Sequence, residues 1–410
     1  MPAKVRRLGV AARSLGFAAF GLSALLYGTA ASAETAGCGQ LLNETFTEFW
    51  GLPQGEDRYT ADLDPLVTRC GSGDEAAFKD ERPGTRNTFN GLHAYASGND
   101  EAAGKAWQSA AAAGDPLAMV ALGDQEVRLG LEEGWAEDGL KKAHDWYRKA
   151  ADAGSPLGMS KLAWLYDEGH HVEADKAEAM GWYMKAAEAG EPTAMHRVGD
   201  GFRDGEGVAA DIVIAIRWYV WAGEAGAEGA YYSLAVIYDE GVLVPEDDTK
   251  AVYYFRIAAL AGVPEAMLGL GSMYHEGVGV ERDYEEAAYW YQSAVDAGHD
   301  EAGALLGVMY YEGTGVEKDT EVALHFFVLA ATVGRPDGMA YASIVYTEIG
   351  AYEAAYFWTI LAVAHGVIEV TFRAIELRAL LPDAVIEETE AQAAVWKPGT
   401  PAPEFDTIQH

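Results

Sequence analysis

The sequence predicts an all-α solenoid built from helix hairpins and closed by terminal caps. Three observations carry that expectation. Gly154, Gly190, Gly226, Gly262, Gly298 and Gly334 are separated by five intervals of 36 residues each. Between them, apolar residues recur at separations of three and four, the spacing of amphipathic helices. The chain is also 50% hydrophobic and 11% aromatic over 410 residues, too rich in core-forming side chains for disorder. A period of this length means a stacked repeat, because one hairpin cannot bury its own apolar face.

Within each unit the positions have distinct mechanical uses. Pro156, Pro192, Pro264 and Pro336 stand two residues after a closing glycine, where proline suits the first turn of a helix because its missing N–H had no partner to lose. They start the first helix, helix A. Its eighth-position residues are Leu162, Val198, Leu234, Leu270 and Leu306, and the twelfth are Tyr166, Phe202, Tyr238, Tyr274 and Tyr310. Loop glycines follow in Gly205-Glu206-Gly207, Gly277-Val278-Gly279 and Gly313-Thr314-Gly315, where positive φ reverses the chain. Asp175, Asp211, Asp247, Asp283 and Asp319 precede helix B as N-caps that accept orphan N–H groups. Helix B then carries an alanine and the pairs Trp182-Tyr183, Trp218-Tyr219, Tyr254-Phe255, Trp290-Tyr291 and Phe326-Phe327.

A unit such as Leu270-Gly271-Ser272-Met273-Tyr274, Gly277-Val278-Gly279-Val280, Asp283, Glu286-Ala287, Trp290-Tyr291 and Ala294 resembles the Sel-one-like repeat, a relative of the tetratricopeptide repeat. The resemblance implies a right-handed superhelix in which helix A lines a concave face. It covers 84–366 in about eight units, best in 155–190, 191–226, 227–262, 263–298 and 299–334. From Gly114 to Gly154 the interval is 40 residues, which indicates a lengthened loop. After Pro336 the loop glycines are lost and the unit resembles a plain tetratricopeptide hairpin. Residues 367–397 are expected to close the array as two helices separated by Pro382, with 398–410 as a flexible tail.

The N-terminus reads as an address. Lys4, Arg6, Arg7 and Arg13 precede an apolar stretch from Leu15 to Ala30, and Ala31-Ser32-Ala33 precedes Glu34. This is the layout of a secretory signal peptide over 1–33, cleaved between Ala33 and Glu34. A retained anchor and, from Thr35-Ala36-Gly37-Cys38, a lipoprotein are the alternatives. Residues 34–83 are expected to form a front cap. Cys38 and Cys70 are the only cysteines, and in an oxidising compartment they imply one disulfide.

Charge excludes one class of partner. With 64 acidic against 29 basic residues the net charge is −35, which repels nucleic acid and anionic lipid. No catalytic or cofactor site is expected. The Gly-x-Gly loops lack the third glycine of a dinucleotide fingerprint and follow a helix rather than a strand, so they read as turns. Asp167-Glu168-Gly169-His170-His171-Val172-Glu173 is the best metal candidate, but it has none of the recognised zinc spacings and reads as a solvated turn. The acids at the fourteenth position, Glu168, Asp204, Glu240, Glu276 and Glu312, read as a hydrated rim.

What distinguishes the repeats is the set of positions that the resemblance places on the concave face. These are Ser160, His196 and Tyr232 at the sixth position, Trp164 and Asp200 at the tenth, and Asp167, Arg203, Asp239, His275 and Tyr311 at the thirteenth. Large amphipathic side chains of this kind anchor binding patches, and equally they fill helix crossings. The expected function is a non-catalytic, exported, monomeric adaptor that binds an envelope protein or peptide in this groove. The rival is a glycan-binding protein or hydrolase using Asp200 and Asp239.

Overall fold

The computed structural model describes residues 84–132, 137–403 and 405. The leader with its Ala33–Glu34 junction, the front cap and the Cys38–Cys70 pair lie outside the described residues. Within them the regular structure is helical, with 18 α-helices and one short 3-10 turn.

Two compact units divide the chain at Ala174 and Asp175. The first contains α1 (Thr85–Ala96), α2 (Asp100–Ala112), α3 (Pro116–Glu132), α4 (Glu137–Asp152) and α5 (Pro156–Glu168). Here α1 packs on α2, α3 on α4, and α4 on α5. The second runs through α6 (Lys176–Glu188), α7 (Pro192–Asp204), α8 (Ile212–Glu224), α9 (Gly229–Glu240), α10 (Asp248–Leu260), α11 (Pro264–Glu276) and α12 (Tyr284–Asp296). It continues with α13 (Asp300–Glu312), α14 (Thr320–Thr332), α15 (Pro336–Glu348), α16 (Tyr352–Ala364), the 3-10 turn Ile368–Val370, α17 (Thr371–Leu380) and α18 (Asp383–Val395). Each helix packs on its successor in sequence from α6 to α17, and α18 returns to α16. The fold is therefore an all-α solenoid of consecutive hairpins.

Local chemistry accounts for the helix ends. Asp175, Asp211, Asp283 and Asp319 each accept two backbone N–H groups of the following turn at 3.0–3.1 Å, and Asp247 accepts one from Lys250. Pro156, Pro192, Pro264 and Pro336 open α5, α7, α11 and α15 as expected.

The second loop glycine has a further reason to be glycine. Gly207, Gly279 and Gly315 have φ of 72°, 66° and 73° and lie against the carbonyls of Lys176, Asp248 and Tyr284, at the start of the preceding helix B. A β-carbon there would meet those oxygens at 2.1–2.5 Å, far inside van der Waals contact. Each loop is thereby seated on the backbone of the hairpin before it.

The core between hairpins is made by small residues. Ala215, Ala251, Ala287 and Ala323 early in helix B, and Ala222, Ala258, Ala294 and Ala330 one turn from its end, are fully buried, as are Leu234 and Leu270 of helix A. Aromatics brace the hairpin mouth: Tyr238 stacks on Tyr254 at 5.9 Å and Tyr310 on Phe326 at 5.9 Å.

At the C-terminal end, α16 is buried on nearly every side, with Phe357 and Trp358 fully enclosed. Trp396 packs edge-on to Trp358 at 5.6 Å and Phe405 reaches Phe357 at 5.3 Å. Gly399 N–H donates to the Thr332 carbonyl at 2.7 Å. Ala402 and Phe405 thereby supply apolar cover for the cluster at the last hairpins.

Candidate functional site

In the second unit a polar cluster forms where α7, α8 and α9 meet. Asp200 of α7 stands at its centre. Tyr219 of α8 donates its hydroxyl to Asp200 Oδ1 at 2.8 Å. Arg203 Nη1 lies 3.5 Å from the same oxygen, Arg197 Nη1 3.9 Å from Oδ2, and His196 Nε2 3.9 Å from Oδ1. His196 also meets Ser233 Oγ of α9 at 3.0 Å and packs edge-on to the Tyr219 ring at 5.4 Å. Gly199 makes the crossing possible, since a β-carbon there would sit 2.7 Å from the Tyr219 ring.

Burial dominates the electrostatics of this cluster. It lowers the His196 pKa, an effect the Asp200 charge opposes and Arg197 and Arg203 reinforce. The Tyr219 hydroxyl is pushed well above its ordinary value, first by burial and then by the Asp200 charge. Arg203 holds Asp204 in a two-point contact, 2.7 Å on each arm, which keeps that carboxyl below the usual range.

The tenth position, read from the sequence as free surface, has an internal task. Tyr291 donates to Ser272 at 3.2 Å and Tyr147 to Asp124, the same relation as Tyr219 to Asp200. Where helix B carries Phe255 or Phe327 instead, the tenth residue is Val236 or Val308. In these five units hydroxyl faces acceptor and bare ring faces valine, whereas the unit of Tyr183 carries Trp164 at the tenth position and departs from the pattern. The matching is visible in the sequence once the tenth residue of those units is set beside the second aromatic of helix B.

The remaining predicted residues fall into separate surroundings. Ser160 is buried, 8% exposed, and so contributes no accessible surface; the sixth position of α5 is covered by its neighbours. Trp164 is half-buried with His170 against it at 4.8 Å, and Asp167 is half-buried in the same unit. In the second unit Tyr232 is half-buried over Phe255 at 6.0 Å, and His275 lies edge-on to Tyr284 at 5.2 Å. Tyr311 donates to Glu348 of α15 and lies beneath Lys318, whose Nζ is 5.3 Å from the ring centre.

Asp239 is exposed at the end of α9. Partial burial and the nearby Asp248, Glu240, Glu246 and Glu276 raise its pKa. Asp200 and Asp239, the pair a glycan-acting site would use, thus differ in kind: one is ringed by donors, the other by acids. Among the described residues no group of three or more His, Cys, Asp or Glu side chains could hold a metal ion, and no helix is long and apolar enough to cross a membrane.

Comparison with known proteins follows the same periodicity. The family model described as Sel1 repeat matches residues 116–155, 156–191, 192–226, 229–263, 264–299 and 301–334. Among solved structures, a protective antigen of uropathogenic Escherichia coli strains displaying an SLR fold is 27% identical, with a TM-score of 0.61, over 77% of this chain and 70% of that one. A Sel1 repeat protein from Oxalobacter formigenes is 31% identical, with a TM-score of 0.45, over 51% of this chain and 88% of its own. No curated protein matches the sequence.

Proposed function

This chain belongs to the Sel1 repeat family, whose members mediate protein–protein interaction, and on that premise we propose that it is a non-catalytic, exported adaptor in the cell envelope. Its partner is a protein or peptide held along the helix A surface, and its output is regulation of an envelope signalling, polysaccharide or cell-wall system.

One observation carries the reading. The residues that build the scaffold repeat almost without change, whereas those left partly exposed on successive A helices of the second unit do not: His196 and Arg203 on α7, Tyr232 and Asp239 on α9, His275 on α11, Tyr311 on α13. Such a surface offers a different chemical contact at each hairpin, which suits recognition of one extended partner better than turnover of a small substrate. Export rests on the basic, apolar and small-residue order of 1–33.

Affinity capture from an envelope extract tests the proposal. Wild-type chain should retain a reproducible protein, and the double variant Y232A/H275A should retain at least tenfold less while melting within a few degrees of wild type. Recovery of no reproducible protein, or equal capture by the variant, would count against the adaptor reading.

A further inference from the structure

Two imidazoles of the first unit stand outside the repeat pattern. His171 occupies the seventeenth position after Gly154, where three later units have Gly207, Gly279 and Gly315. Its φ is 65°, the one positive value at a non-glycine residue among those described. A side chain in the left-handed region costs about 1–2 kcal/mol more than glycine. The loop tolerates that cost and brings the ring to His144 on α4, with centroids 6.1 Å apart and planes inclined by 63°. His144 Nε2 and His171 Nδ1 are both buried, and neither has a hydrogen-bond partner. Behind His144, the Asp145 carboxylate lies 3.7 Å from Nδ1. A carboxylate on that side favours the tautomer protonated at Nδ1, which leaves Nε2 as the nitrogen with the lone pair.

We propose that His144 Nε2 and His171 Nδ1 form a two-coordinate site for a soft monovalent cation, cuprous copper. Two imidazoles meeting head-on through one ion, each nitrogen about 1.1 Å from its ring centre and bonded at about 2 Å, have centroids about 6 Å apart. The observed centroid separation of 6.1 Å is the one such a bridge requires. A tetrahedral angle would draw the rings to about 5 Å, and zinc would in addition require four ligands. No third His, Cys, Asp or Glu joins the pair among the described residues, and cuprous ion is one that two imidazoles satisfy.

The experiment is a titration of the full-length chain, its thiols alkylated so that Cys38 and Cys70 cannot compete, with cuprous ion held as the bicinchoninate complex under ascorbate. Wild type should remove one equivalent from the chromophore. H171G restores the glycine of the other loops and H144Q keeps a polar side chain; each should weaken binding at least tenfold, and H171G should melt at or above the wild-type temperature. A wild-type chain that takes no copper overturns the proposal. So does an H171G chain that takes it equally tightly, or a wild-type preference for zinc.

Discussion

Removing the acceptor opposite Tyr219 should destabilise its hairpin far more than removing acceptor and hydroxyl together. Tyr219 is fully buried, and its hydroxyl donates to Asp200 at 2.8 Å. Asp200→Val strands that hydroxyl, with an expected cost of about 2 kcal/mol for an unsatisfied buried donor. Tyr219→Phe costs about 1 kcal/mol, since Asp200 keeps Arg203, Arg197 and His196 nearby. The double variant recreates the Val236–Phe255 arrangement of the next hairpin and should lose no more than about 1 kcal/mol, a coupling of roughly 2 kcal/mol. Urea unfolding by far-UV circular dichroism gives the global values. Amide hydrogen exchange in α7 and α8 reads the hairpin itself, because repeat arrays need not unfold as one unit. Additive single and double variants would refute the matched pair and return Asp200 to the free surface.

Three further outcomes follow from the geometry. Gly271→Ala places a β-carbon 2.7 Å from the Tyr291 ring and should cost about 1–3 kcal/mol, whereas Gly181→Ala meets nothing within 4 Å on an exposed helix face and should stabilise by about 0.5–1 kcal/mol; thermal unfolding of the two compares them. Asp319→Ala removes two N-cap bonds to α14 and should cost about 1 kcal/mol, read as a lower urea midpoint. Burial depresses the His196 pKa in the folded state, so its neutral form contributes stability that is full above the unfolded value of about 6.5 and is lost as the pH falls from there through the folded value. His196→Gln should therefore flatten the acid side of a melting-temperature profile between pH 7.5 and 5; an unchanged slope would assign that loss elsewhere.

Most of the scaffold is legible from residue type and spacing alone, because each signal is local. A proline at the first turn, an aspartate before helix B or a glycine that must turn the chain acts within a few residues of itself. The surface residues are harder, since their meaning depends on what lies across the hairpin. Asp200 looks free until Tyr219, 19 residues away, is seen to need it. Ser160 looks exposed by position yet is buried. His171 meets His144 across 27 residues, beside a unit whose extra length breaks the register that the other loops share. The docking of Phe405 on Phe357 joins residues too distant for any periodicity to relate.

The seating of loop glycines on backbone carbonyls bears on how such a chain grows. Contacts inside a hairpin are matched side chain to side chain, as Tyr219 is to Asp200, so both partners travel together when a hairpin is copied. The loop contact between neighbouring hairpins uses a glycine against a peptide carbonyl, which every residue possesses. A duplicated unit can therefore dock this loop wherever it lands, and new binding chemistry can be tried on its outer positions without redesigning that junction.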